Sequence, residues 1–404
     1  MARIVPAWLT TVLQQTKRLA KGIVLASVTT AISLGLAEAA VRIFNLGPQI
    51  AAINHGNFRL SDDPLLRYEL APGSTNGDSV INRDGMRDRE FPLAKPPHTF
   101  RIACIGDSIT FGFGVDQAAD TYPKRLEYLL NTYCATPDQH FEVMNFGVPG
   151  YNLKEIVENV QVRVLKYHPD LVIYGYCLND PQEISLEFLK VLSDMTGAER
   201  KYKLHSQQEN FWMAHSRIFR LAAYEIRRVT AQGRATGGHV PAAADPENIA
   251  LRSSRDTEYF TALHTGQPGR DNLENSLATL ASACARIQAP VCVLLFPVTN
   301  HLDPYPLDAV HRQVAELCEK HAFHVCDLRE SFRAYEHFEK SDIYFDYLHP
   351  FPLGDHYTAV VLLSKLLQDS LLPQVEPADV ARRLLNGDEE DRRFGHLTRL
   401  LPDP

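Results

Sequence analysis

The chain has 404 residues, 45% of them hydrophobic, which is enough material for one large buried core and excludes a disordered polymer. Its formal net charge of -8 and pI near 6.1 exclude the basic footprint that neutralises a phosphate backbone, so no nucleic acid is expected as a partner. Seven cysteines, an odd number without CxxC or Cys/His ligand spacing, exclude a complete disulfide framework and a structural zinc site. Cys104, Cys177 and Cys292 stand in apolar runs and are expected as small free hydrophobes; a bridge between Cys318 and Cys326 is the lesser alternative to most cysteines being free and buried.

Between Lys21 and Glu38 there is no charge, and the apolar stretch runs on to Phe44, broken only by Glu38 and Arg42. A helix over Ile23–Phe44 spans roughly 30 Å, the thickness of a bilayer core, and both charges fall near its far end. Arg3, Lys17, Arg18 and Lys21 precede the run, which predicts an N-inside membrane anchor over residues 1–45 with the remainder outside the cytoplasm. Secretion after cleavage at Ala37-Glu38-Ala39 is the alternative, although the polar segment ahead of the run is long for a signal peptide.

Residues 46–97 hold turn-forming pieces, Ala71-Pro72-Gly73-Ser74 and Asn82-Arg83-Asp84-Gly85, and read as an extended lead-in without a core of its own. From residue 98 the pattern alternates. Strands are predicted at Ile102–Ile105, Val143–Phe146, Leu171–Cys177, Val291–Phe296 and Phe323–Cys326, with helices over Tyr122–Tyr133, Leu153–Tyr167 and Leu307–Lys320. Continuous apolar strands between helices predict an α/β fold with a parallel sheet covered on both faces. An insertion at about 182–270 is too long for a plain connection and is expected to form a cap. Within it Phe211, Ala214, Ile218, Leu221, Ala222 and Ile226 share one helical face. Residues 98–370 make up the main domain, and residues 371–404 read as a polar tail.

Chemistry gathers at the strand ends, where open α/β sheets bind ligands. The first strand ends in Gly106-Asp107-Ser108-Ile109, which presents a serine on a turn; alone, Asp-Ser is equally a helix N-cap. The second ends in Asn145-Phe146-Gly147-Val148-Pro149-Gly150, where a glycine N–H is open to a reacting oxyanion, and the third in Cys177-Leu178-Asn179-Asp180, which adds an amide donor. Asp346-Tyr347-Leu348-His349 sets an acid three residues before a histidine, a spacing that lets a carboxylate fix the imidazole tautomer.

These four blocks, in this order, resemble the SGNH or GDSL-type hydrolases, a family of esterases, lipases and carbohydrate acetylesterases. The resemblance implies a flavodoxin-like three-layer α/β/α sandwich. It implies Ser108 as nucleophile, His349 as base and Asp346 as its orienter. Backbone N–H groups of Ser108 and Gly147 with the Asn179 amide would form the oxyanion hole, and Asp107 and Asp180 would stand behind them. Asp62-Asp63-Pro64 through Asn82-Arg83-Asp84-Gly85-Met86-Arg87, with the apolar N-terminus, is similar to a membrane-anchored bacterial subgroup. The expected activity is hydrolysis of an acyl or acetyl ester, on an O-acylated glycan, a lipid or a small ester, with neither metal nor cofactor. If a sugar hydroxyl replaces water, the same residues make an O-acyltransferase; the competing class is a non-catalytic surface protein that binds an acylated glycan or lipid. One departure is Cys177, which stands where the family usually has glycine, bringing its sulfur to the acyl pocket.

Overall fold

The structure is a computed structural model and describes residues 7–44, 54–55, 57–185, 188, 216, 218–219, 221–222, 256–298, 302–334, 348–373 and 375–401. The chain divides into two compact units, residues 1–51 with 196–238 and residues 52–195 with 239–404.

The first unit contains helix α1 (Ala7–Ile43). Its segment Thr16–Ile43, 28 residues, is long and apolar enough to cross a membrane; a signal sequence meets the same measure. Glu38, the acid inside the apolar run, pairs with Arg42 one turn on at 2.7 Å. Its second oxygen accepts from Ser216 Oγ and the Ile218 N–H, each at 3.0 Å. Of the helix expected between Phe211 and Ile226, residues 218–219 and 221–222 are helical, Ser216 is not, and the rest lie outside the described residues.

The second unit is built on five strands, β6 (Thr99–Gly106), β7 (His140–Gly147), β8 (Leu171–Tyr176), β9 (Val291–Leu295) and β10 (His324–Asp327), preceded by the short strands β1 (Asn54–His55), β2 (Phe58–Leu60), β3 (Tyr68–Leu70), β4 (Thr75–Asn76) and β5 (Ser79–Val80). The large sheet runs β7-β6-β8-β9-β10, parallel throughout, the flavodoxin-like order with the crossover reversing beside β6. All five predicted strands are present. The helices are α2 (Ser108–Phe111), α3 (Tyr122–Leu129), α4 (Leu153–Val162), α5 (Asp256–Thr265), α6 (Gln267–Ala285), α7 (Asp308–Lys320), α8 (Arg329–Ala334), α9 (Pro352–Gln368), α10 (Pro377–Leu384) and α11 (Glu389–Leu397). α3 packs against α9, and α4 against α6, which also meets α5 and α7; with the sheet between these two groups the unit is a three-layer α/β/α sandwich. All seven cysteines are free and buried, so Cys318 and Cys326 are not bridged.

Three segments differ from expectation. The lead-in is part of the core: Tyr68, Met86 and Arg87 are fully buried, Tyr68 OH donates to Pro149 O (2.8 Å), and Tyr151 OH donates to Tyr68 O (2.7 Å). Its apolar groups are spread over turns, so no periodic run announces them. Residues 256–270, counted with the cap, form α5 and the start of α6, which pack onto the core through Phe260 and His264. There His264 Nδ1 donates to Phe260 O, which leaves Nε2 to accept from Tyr176 OH at 2.7 Å, and burial pulls this imidazole down to about 4, keeping it neutral. The polar tail is two helices that bury Val380, Leu384 and Phe394, and Asp391 accepts from Tyr133 OH while pairing with His356 Nε2 at 2.7 Å. One apolar residue per turn is enough to dock such helices but is diluted by their charges.

Among the described residues no strand neighbours the outer edge of β7, and side chains take its backbone groups. Asn131 bonds both the N–H and the C=O of Phe141, Glu127 accepts from the Val143 N–H, Lys124 donates to Val143 O, and Asp88 accepts from the Asn145 N–H, all within 3.1 Å. A covered edge cannot template another chain. Asn131→Ala, which orphans two groups, is expected to cost about 1–3 kcal/mol. Its melting temperature should fall, and light scattering should show self-association absent from the wild type.

Glu155 closes the capping box of α4 with Asn152 and is fully buried, Arg67 lying 4.0 Å away. Burial pushes its carboxyl from 4.5 up to about 7, against the opposing pull of Arg67. A carboxyl that holds its proton more tightly folded than unfolded favours folding below about 4.5, and that advantage is lost as pH rises through about 7. The melting temperature is therefore expected to fall with rising pH across this window, and Glu155→Gln to flatten the profile.

Candidate active site

At the carboxyl ends of β7, β6 and β8 three glycines lie side by side, Gly106 in register with Gly147 on one side and with Gly175 on the other. Short helix α2 sits directly on them. A Cβ at Gly147 would come within 2.2 Å of the Phe111 nitrogen, one at Gly106 within 2.2 Å of Thr110 Oγ1, and one at Gly175 within 2.5 Å of the same oxygen. This contact sets the height of Ser108, the first residue of α2. Asp107 caps the helix, its Oδ1 accepting from the Ile109 N–H at 3.0 Å, and Gly112 ends it with φ 84.

Ser108 Oγ lies 2.8 Å from His349 Nε2 and 3.3 Å from Asp107 Oδ2. His349 precedes α9, a helix buried along most of its length. Asp346 lies outside the described residues. Asn179 donates its amide to the Asp107 carboxylate, and its Oδ1 has no hydrogen-bond partner among the described residues. Asp107 is wholly buried, and burial pushes its carboxyl up while the Ile109 N–H, His349, Asn179 and Ser108 pull it down. Asp180 accepts from Tyr174 OH (2.6 Å) and the Cys177 N–H (3.2 Å), and burial with the nearby Asp107 charge drives its carboxyl strongly up. The structure thus brings together Ser108, His349, Asp107 and Asn179, with Asp180 behind them.

Gly147 stands apart from its expected role. Its N–H donates to Asn145 Oδ1 at 3.0 Å, and its missing side chain makes room for α2. Three residues on, Gly150 turns the chain at φ 75, and its N–H donates to no group among the described residues. Cys177 is buried and its thiol is driven far up by that burial, so it is a packing residue and not a competing nucleophile.

Arg87, from the lead-in, was not singled out in the sequence. Its buried guanidinium donates to Gly112 O (2.8 Å), Val115 O (2.6 Å) and Asp116 O (2.9 Å), lies 3.4 Å from Phe111 O and stacks 5.2 Å from the Phe111 ring. It pins the loop that follows α2. The Asn82-Arg83-Asp84-Gly85-Met86-Arg87 stretch held that signal, masked by its turn-like composition. Gly147→Ala keeps the backbone N–H but drives a methyl into α2. It is expected to cost on the order of 1–3 kcal/mol. A stopped-flow or steady-state assay should show kcat falling together with the melting temperature.

Residues 104–356 match the model of the GDSL-like Lipase/Acylhydrolase family. No curated protein matches the chain. Similar solved structures include an alpha/beta hydrolase enzyme from the metagenome of Lake Arreo, Spain, at 17% identity over 66% of this chain and 93% of that one, TM-score 0.37. An acetyl xylan esterase variant from Geobacillus stearothermophilus is similar at 17% identity over 66% and 94%, TM-score 0.38. TesA is similar at 12% identity over 67% and 99%, TM-score 0.38. The family match spans more than half of the chain, which therefore belongs to the GDSL-like lipases and acylhydrolases and is an ester-hydrolysing enzyme.

Proposed function

We propose that the chain is a serine esterase that cleaves carboxylic esters by two-step acyl transfer. The observation that carries this reading is the 2.8 Å separation of Ser108 Oγ and His349 Nε2, groups 241 residues apart in sequence. With Nδ1 protonated, Nε2 is the acceptor for the serine hydroxyl, and Asp346, three residues upstream, is the carboxylate that holds that tautomer. Ser108 Oγ attacks the ester carbonyl carbon as its proton passes to Nε2, and the carbonyl electrons collect on an oxyanion. Collapse expels the alkoxide, which takes the proton from His349; water repeats the sequence on the acyl-enzyme and releases the acid.

The oxyanion is held by the Ser108 N–H and the Asn179 amide, whose other N–H is anchored on Asp107. The third donor in this reading is the Gly150 N–H in place of Gly147, whose own N–H is taken by Asn145. Asp107 and Asp180 keep these donors oriented. No metal or organic cofactor enters any step. The substrate class is an O-acylated glycan or small acyl ester. α1 serves as an uncleaved anchor, with Lys17, Arg18 and Lys21 on the cytoplasmic side and the catalytic unit outside the cytoplasm.

Fluorophosphonate labelling of the full chain tests the nucleophile: wild type should label and Ser108→Ala should not. Hydrolysis of p-nitrophenyl acetate should fall about a thousandfold or more in Ser108→Ala and in His349→Ala. Labelling and turnover that survive in folded Ser108→Ala would overturn the assignment.

A further inference from the structure

The loop after α2 carries Phe113, a large apolar side chain that stays 45% exposed. Its ring centroid lies 4.9 Å from that of His349, tilted by 49°. The backbone beneath it is held tightly. The Phe113 N–H donates to Ser108 O at 2.9 Å, and the carbonyls of Gly112 and Val115 on either side are held by Arg87. From the far side, the Asp78 N–H donates to Asp116 O and Asp78 Oδ1 accepts from the Ala118 N–H. An exposed phenyl ring on a loop pinned in this way is a fixed wall and not a hydrophobe searching for a core.

Which part of the substrate meets this wall follows from the proton path. His349 gives its proton to the departing alkoxide, so the alcohol part of the ester must lie within hydrogen-bond reach of Nε2. The acyl part is turned away from it, toward the oxyanion donors at the ends of β7 and β8. A ring in contact with the His349 imidazole therefore borders the alcohol. Among the described residues of this unit, the large apolar side chains with comparable exposure are Val80, Leu93, Tyr128 and Leu385, on other elements, and Phe113 is the one set against the imidazole. A single flat ring suits one C–H face of a sugar, whereas an alkyl chain needs an apolar trough.

Resting on the esterase reading above, we propose that Phe113 is a specificity-determining residue: it stacks on the C–H face of a pyranose whose hydroxyl carries the acyl group and so selects acylated sugars among esters of the same acid.

The test holds the acid constant and varies the alcohol. kcat/KM is measured with the full chain on ethyl acetate, dodecyl acetate and a singly acetylated methyl glucopyranoside, for wild type, Phe113→Ala and Phe113→Trp. The ratio of the glycoside acetate to ethyl acetate should fall on the order of tenfold in Phe113→Ala, mainly through KM, and be retained by Phe113→Trp. An equal loss on all three esters would make Phe113 a support for His349 and overturn the proposal. So would a loss greatest on dodecyl acetate, an unchanged ratio, or a wild type that turns over ethyl acetate but not the glycoside. Ethyl acetate hydrolysis that survives in Ser108→Ala would instead overturn the Ser108 assignment, and a folded wild type that turns over none of the three esters would overturn the esterase reading itself, so the failures are told apart.

Discussion

The close approach of α2 to the sheet is the constraint on which the rest of the site depends. A parallel sheet ordinarily keeps a helix about 10 Å from its plane, the distance that two layers of side chains require. Here Gly106, Gly147 and Gly175 remove the sheet's layer over three adjacent strands, and the backbone of α2 comes down onto the strand ends. Ser108 is thereby held by backbone packing and not by a flexible connection. On the proposed reading, a nucleophile placed in this way loses little freedom at the moment of attack, which is where pre-organisation acts on the barrier.

Polar groups then lock what the glycines allow. Arg87 fills the space under the loop after α2 and spends its two terminal nitrogens on backbone carbonyls, so a buried cation serves as a structural staple with no ion pair among the described residues. Asp107 works in the opposite sense: one buried carboxylate gathers the Ile109 N–H, the Ser108 hydroxyl and the Asn179 amide. The two residues lie on opposite sides of α2 in function, one fixing its exit and the other its entrance. His349 reaches the same point from the far end of the chain because α9 is packed firmly on α3, the helix that follows α2.

Much of this was legible in the sequence, and the reasons are specific. Apolar runs such as Val291–Leu295 and Leu171–Tyr176 are buried end to end, so their composition alone announces a parallel strand. Ser108 and His349 stand out in the sequence because each sits in a block with an informative neighbour, and the structure brings their side chains together. Gly147 was visible as a glycine but its role was not, since an oxyanion donor and a packing glycine look alike until α2 is placed on top of it. The lead-in and the last two helices were misread for a shared reason: Tyr68, Arg87, Val380 and Phe394 make their contacts singly, across long sequence separations, and periodicity sees only local repeats. Asp346 falls outside the described residues.

A division of labour between sheet and loops follows from these contacts. The 2.8 Å meeting of Ser108 and His349 rests on elements whose neighbours are backbone atoms and buried helices, and such elements tolerate little change in volume. Phe113 rests on the same foundation through Ser108 O and Arg87, yet its ring lies against His349 and stays 45% exposed. A ring of different shape there alters what the wall contacts without moving the nucleophile. On the proposed reading, selectivity for the alcohol varies at Phe113 while Ser108 and His349 stay where the three glycines put them.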